Sequence, residues 1–172
     1  MIETERLYLR PLTEDDAPFY LQLVNEPSFI ENIGDKGVRT LEDARNAIIT
    51  GPMAMQRALG YSLMLVLQKS DDLPVGMCGL IKRDILPDTD IGYAYMPAYW
   101  GRGYAYEAAA AVVDFARDKM GLKRLLGIVA PHNVASNQLL KKLGLSFVAL
   151  KFLKDESTGT NLYCLEFPPR HI

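Results

Sequence analysis

Between Ile91 and Ala116 the hydrophobic period changes from two to 3.6 across one tight turn. Ile91, Tyr93 and Tyr95 alternate with other residues up to Pro97, while Ala108, Ala109, Val112, Val113 and Ala116 recur at helical spacing. Between these patterns lies Gly101-Arg102-Gly103. The segment predicts a strand, a glycine turn and a helix. Glycines let a backbone approach a ligand closely, and the uncapped N–H groups at a helix start favour an anion. A sheet carrying a helix on one face, with a phosphate-bearing molecule held at the turn, is the first expectation.

The rest of the chain supplies the other layers. Arg6 to Leu12 alternates and predicts a first strand, and Thr13 with Asp16 predicts a helix start, with Asp in the place of Glu or Gln. That helix runs to about Asn25, with Pro27 expected to stop it, and residues 28 to 39 predict a loop or short helix. Thr40 caps a second helix to about Thr50, where Gly51-Pro52 breaks or kinks it, and a further turn continues to Leu59. From Tyr61 the period is two: YSLMLVLQK, the turn SDDLP and VGMCGLIKR predict a β-hairpin. Gly121 suits the end of the alanine-rich helix. Arg124 to Ala130 predicts a buried strand, Asn133 to Leu143 a helix, and Leu145 to Leu153 and Thr160 to Phe167 two strands joined by a turn at Asp155 to Gly159. The expectation is a single α/β (α+β) domain over residues 1–172, with a mixed, mostly antiparallel sheet of about seven strands flanked by four helices.

Charge and composition narrow the partners. A formal net charge of −2 provides no basic footprint for nucleic acid, and the best apolar run, Tyr61 to Leu67, has the length of a strand rather than a membrane span. The first residues, MIETERLYLR, lack the apolar core of a signal peptide, so a cytoplasmic protein is expected. Cys78 and Cys164 lack zinc or redox spacing and predict core residues, with no metal.

The glycine turn matches neither common nucleotide pattern. The dinucleotide fingerprint needs Gly or Ala where Tyr106 stands, and the triphosphate loop needs Gly-Lys-Ser/Thr. What remains is a G-x-G-x-A turn able to grip a pyrophosphate, with Arg102 as an added cation, or else a turn that only packs its helix. PHNVASNQLLKKLGL forms a second strand-to-helix edge bearing Asn133, Ser136 and Asn137, followed by Lys141 and Lys142. Two successive strand ends opening toward one face mark the usual place for a ligand.

Three blocks, ETERLYLRPLTEDDA, DIGYAYMPAYWGRGYAYEA and NVASNQLLKKLG, resemble in order and spacing the GNAT superfamily of acetyl-CoA-dependent N-acetyltransferases. The resemblance is to the branch containing the ribosomal-protein N-terminal acetyltransferases. It implies acetyl-CoA as co-substrate and a primary amine, a peptide N-terminus or a small molecule, as acceptor. It also implies that Gly101, Arg102, Gly103, Tyr104 and Ala105 hold the pyrophosphate, with Trp100 and Lys141 beside them, and that Tyr95, Met96 and Asn133 hold the pantetheine arm. Trp100 stands where the superfamily pattern has Gln or Arg. Leu140 stands where many relatives carry a tyrosine that protonates the leaving thiolate, which leaves Ser136 as the expected proton donor. Leu145 replaces the usual phenylalanine.

Acetyl transfer to an amine needs a neutral nucleophile, a polarised carbonyl and a protonated leaving sulfur. A backbone N–H near Tyr95 or Met96 is the expected oxyanion donor. Asp90 is the expected base, set against a solvated strand-start carboxylate, with Glu31 as an alternative. Glu107 is expected to stabilise its helix start, and His132 to lie in a surface loop. A domain that binds coenzyme A as a sensor or assembly module, without turnover, is the competing expectation. Monomer and homodimer both remain open.

Overall fold

The computed structural model describes residues 1–153 and 158–169. They form one eight-stranded sheet in the order β1-β2-β3-β4-β5-β6-β8-β7. The strands are β1 Ile2–Glu3, β2 Leu7–Pro11, β3 Leu63–Gln68, β4 Pro74–Ile81, β5 Asp90–Tyr95, β6 Arg124–Val129, β7 Ser146–Lys151 and β8 Thr160–Glu166. The helices are α1 Ala17–Val24, α2 Pro27–Asn32, α3 Leu41–Ile48, α4 Ala54–Leu59, α5 Tyr104–Asp118 and α6 Val134–Lys142. A widened π turn at Ile49–Met53 joins α3 to α4, so five helices flank the sheet.

Two counts differ from expectation for local reasons. β1 has only two residues, too few to show a period, and it extends the expected seven strands to eight. Pro27 starts α2 instead of merely ending α1, because proline at the first helical position loses no hydrogen bond. Pro52 bends the α3–α4 helix without ending it, since the wider turn absorbs the missing N–H. Gly60, at φ +77°, ends that helix. Of the turn expected at Asp155 to Gly159, residues 155–157 lie outside the described residues.

Every neighbouring pair is antiparallel except β5 and β6. Those two are parallel and register only at Asp90 and Leu126, where the Leu126 N–H donates to the Thr89 carbonyl at 2.9 Å. Beyond that point they diverge. The sheet thus splits from its middle toward the C-terminal ends of both strands, which is where α5 and α6 begin.

Each face of the sheet carries its own core. α5 presents Ala108, Ala109, Val112, Val113 and Ala116 to one face, where they pack with Ile91, Tyr95, Leu125 and Leu140. The small alanine side chains let this helix lie close over β4 and β5. On the other face Leu12, Leu23, Phe29 and Ile48 pack with Leu65 and Met77, and Ala94 of β5 and Met96 just beyond it join them. Consecutive β5 residues alternate between the two faces, as a pleated strand requires. Gly127 keeps β6 close to α6, since a Cβ there would stand 2.9 Å from Leu140 Cδ2.

Candidate active site

The split between β5 and β6 opens into a continuous cleft of about 1570 Å3. Its lining runs from the glycine turn, past the strand ends, to α2 and the β4–β5 connection. Residues 158–160 and Leu150 of the C-terminal hairpin close another side.

At the outer end, Gly101 and Gly103 hold φ of +73° and +81°. A Cβ at Gly101 would meet nothing within 4 Å, so that glycine serves backbone conformation and leaves its surroundings open. The first bond of α5 runs from the Glu107 N–H to the Gly103 carbonyl at 3.1 Å. The N–H groups of Tyr104, Ala105 and Tyr106 therefore have no acceptor within the helix and stand at its positive end. The turn is anchored from below. Arg6 stacks on the Tyr104 ring at 4.6 Å, donates from Nη1 to the Arg102 carbonyl at 2.9 Å and from Nε to Glu107 at 2.7 Å. Glu107 also accepts from the Thr4 hydroxyl and the Arg6 N–H. It is a strut holding the turn to the β1–β2 connection, in keeping with its expected structural role. Free helix-start donors on a turn clamped in this way fit a pyrophosphate.

The predicted anion-site residues divide. Gly101, Gly103, Tyr104, Ala105 and Trp100 line the cleft. Tyr104 does so only through its backbone, because its ring is buried and its hydroxyl donates to Gln68 at 2.7 Å. Arg102 lies over the Tyr99 ring at 5.2 Å beside the turn. Lys141 is exposed and does not line the cleft; its neighbour Lys142 does, over the Tyr106 ring at 4.1 Å. Sequence spacing alone could not choose between two adjacent lysines, because the choice depends on how α6 is rotated on the sheet.

Deeper in, backbone parity decides which donors face the cleft. The Met96 N–H donates to the Val75 carbonyl at 2.9 Å, so even-numbered residues of β5 turn their polar groups toward β4. That removes Met96 as an expected oxyanion donor. Odd-numbered Tyr93 and Tyr95 turn theirs toward the split. The Tyr95 carbonyl accepts from the Trp100 indole at 3.0 Å, which folds this otherwise exposed tryptophan back over the strand end and leaves the Tyr95 N–H as the donor there.

Ser136, on the first turn of α6, lies 2.8 Å from the Tyr93 hydroxyl. Burial pushes the Tyr93 phenol up to about 12, with the Ser136 hydrogen bond opposing, so it keeps its proton at neutral pH. Tyr93 did not stand out in the sequence, where it is one of three alternating apolar residues. Asn133 caps α6 by accepting from the Ser136 N–H at 3.2 Å. Asn137 is buried and braces this corner. It donates to the carbonyls of Ala130 and Asn133 and accepts from the Tyr163 hydroxyl at 2.7 Å and from Asn161 at 2.9 Å.

Asp90 stands at the apex, on the opposite face from Tyr93. Neither a solvated carboxylate nor a directly accessible base describes it. Its side chain is fully buried, and both oxygens accept from Arg83 Nε, at 3.1 and 3.2 Å. Burial pushes its pKa up to about 6 against the pull of the Arg83 charge. Glu31 lines the cleft from the exposed side of α2. His132 Nε2 lies 3.1 Å from Asn32 Oδ1, tying the β6–α6 loop to α2 across the mouth. Cys78 is buried and its thiol is pushed up to about 12, consistent with a packing role. Among the described residues no acidic, histidine or cysteine cluster could hold a metal, and no helix is long and apolar enough to cross a membrane.

Comparison with known proteins gives consistent results. Residues 6–146 match the family described as an acetyltransferase (GNAT) domain. The uncharacterized N-acetyltransferase YoaA of Bacillus subtilis is 27% identical over 98% of this chain and 97% of its own. An acetyltransferase structure from Agrobacterium tumefaciens is 25% identical, with a TM-score of 0.81 over 96% of this chain and 94% of the other. The fold is also that of RimL, a ribosomal L7/L12 alpha-N-protein acetyltransferase solved with coenzyme A, at 18% identity, TM-score 0.81 and 95% coverage of both chains.

Proposed function

The chain belongs to the GNAT acetyltransferase family, and from that premise we propose that it carries an acetyl group to a primary amine by direct attack within a ternary complex. The observation that carries this reading is the continuity of the cleft. One open space joins an anion-binding turn, a splayed strand with a free N–H and a hydroxyl pair to a second, separately lined compartment. Acetyl-CoA supplies the acyl group as an activated thioester. The donors at residues 104–106 hold its pyrophosphate, with Arg102 and Lys142 on either side.

The chain's own groups then divide the work. The Tyr95 N–H is set to stabilise negative charge on the carbonyl oxygen, an effect worth a few kcal/mol for one well-placed donor. Ser136 and Tyr93 share a hydroxyl pair on the cofactor side of β5, and we assign to it the proton that the departing sulfur takes up. The pair replaces the tyrosine for which Leu140 leaves no hydroxyl. Asp90 acts as a positioning residue, since the amine cannot reach its carboxylate past Arg83; the proton lost by the amine leaves through water in the open cleft. Holding both reactants in one cleft contributes roughly 7–11 kcal/mol in favourable cases.

The test is release of coenzyme A from acetyl-CoA across peptides with N-terminal Ser or Ala, amino acids and polyamines. Turnover with any of these supports the reading. Tight binding of acetyl-CoA with no turnover on any acceptor refutes it in favour of a binding module.

A further inference from the structure

The acceptor side of the cleft carries two cations, Arg83 and Lys36, whose terminal nitrogens have no protein acceptor among the described residues. Arg83 spends only Nε on Asp90; its Nη1 and Nη2 groups have no acceptor among the described residues. Lys36, on the loop after α2, also lines this compartment and makes no hydrogen bond or ion pair among the described residues. The residue is exposed to solvent along this stretch of the lining. Partial desolvation, with the Arg83 charge as the lesser cause, lowers its pKa. Arg83 already offsets the Asp90 charge, so Lys36 on the same cleft adds a further positive charge that favours a second anion.

Two neighbouring contacts hold the arrangement in place. The Lys82 ammonium donates to the carbonyls of Leu86 and Pro87, ordering the loop that carries Arg83. The fully buried Asp90 carboxylate fixes the inner edge of the guanidinium, so its two-nitrogen outer edge faces outward in a fork suited to a carboxylate. Among the described residues, Glu31 and His132 are the other acidic or basic side chains at this rim. Between them the walls are apolar, with Phe29, Ile81, Ile85 and Met55.

We propose that the acceptor is a small primary amine carrying a carboxylate within a few bonds of its nitrogen, held by Arg83 and Lys36, with an apolar substituent against Phe29, Ile81 and Ile85. This rests on the acetyl-transfer reading above and narrows it. A peptide N-terminus presents a neutral amide at that point and leaves the Arg83 Nη groups and the Lys36 ammonium without an anionic partner. A polyamine adds further positive charge to them.

The experiment compares leucine, methionine and phenylalanine, each with its α-amide and its decarboxylated amine, by kcat/KM for coenzyme A release. At least a tenfold preference for the carboxylate over both partners is expected, although the amide's less basic nitrogen favours it chemically. Arg83→Gln and Lys36→Gln should each bring that ratio toward one, with Arg83→Lys between wild type and Arg83→Gln. Equal or better use of the amides or amines overturns the proposal, as does an unchanged ratio in both glutamine variants. Where no acceptor turns over, calorimetric titration of the same compounds in the presence of coenzyme A decides. Tenfold tighter binding of the amino acids sustains the carboxylate site while the acetyl-transfer reading fails; no such difference overturns the site as well.

Discussion

Replacing Asp90 by asparagine should make the protein's stability markedly less sensitive to pH. In the native state the carboxyl has its pKa raised by burial from 3.8 to about 6. Between those values the native state holds the proton and the unfolded chain releases it. Stability from this group is therefore fully present below about pH 4 and is lost as pH rises through 6. A gap of about two units corresponds to about 3 kcal/mol, roughly half of it falling between pH 5 and 8. The attraction of Arg83 is already contained in that shift, since it opposes the burial that raises it. The asparagine side chain has nearly the same shape and no charge, so the loss disappears. Urea unfolding of both proteins from pH 5 to 8 measures it directly. The variant should gain about 1.5 kcal/mol relative to wild type across that range, or about 3–6 °C in Tm. Parallel stability curves for the two proteins would refute the buried, pKa-raised carboxyl. The same variant frees the inner edge of Arg83, so KM for the acceptor should rise more than kcat falls.

Other outcomes follow from the site's geometry. Ser136→Ala and Tyr93→Phe should each lower kcat about tenfold or more, and the double variant should be little worse than either, because the two hydroxyls act as one unit; additive losses would show that they work separately. Gly103→Val places a β-branched residue at φ +81° with its Cβ 3.3 Å from Arg6 Nη2, and should abolish acetyl-CoA binding measured by calorimetry. Gly127→Ala drives a methyl group against Leu140 and should cost about 1–3 kcal/mol in urea unfolding. Asn137→Leu removes both donors and the acceptor at the α6 corner. It should destabilise by at least about 2 kcal/mol and raise KM for acetyl-CoA, since the Tyr163 hydroxyl then lacks its partner.

The local machinery is written in short-range sequence pattern. The change of period across Gly101-Arg102-Gly103 specified strand, turn and helix, because pleat, helical repeat and positive φ depend on residues only a few positions apart. The family, the glycine turn and the N-cap at Asn133 were legible for the same reason. Even Glu107 could be assigned to structure from its place at a helix start.

The tertiary structure decided which groups meet. The Tyr93–Ser136 hydroxyl pair spans 43 positions, and nothing at either end announces the other. The Met96 N–H is spent on β4 while that of Tyr95 faces the split, through the register of β5 on β4, which is set by packing two strands and not by either alone. Asp90 reads as a base or a solvated strand start until the β4–β5 loop folds Arg83 over it. Lys36 lines the same cleft as Arg83 only because α2 and its loop lie against this part of the sheet. Turn chemistry and periodicity are short-range and leave a mark in the sequence. The pairing of charges across a cleft is long-range, and only the folded chain brings it about.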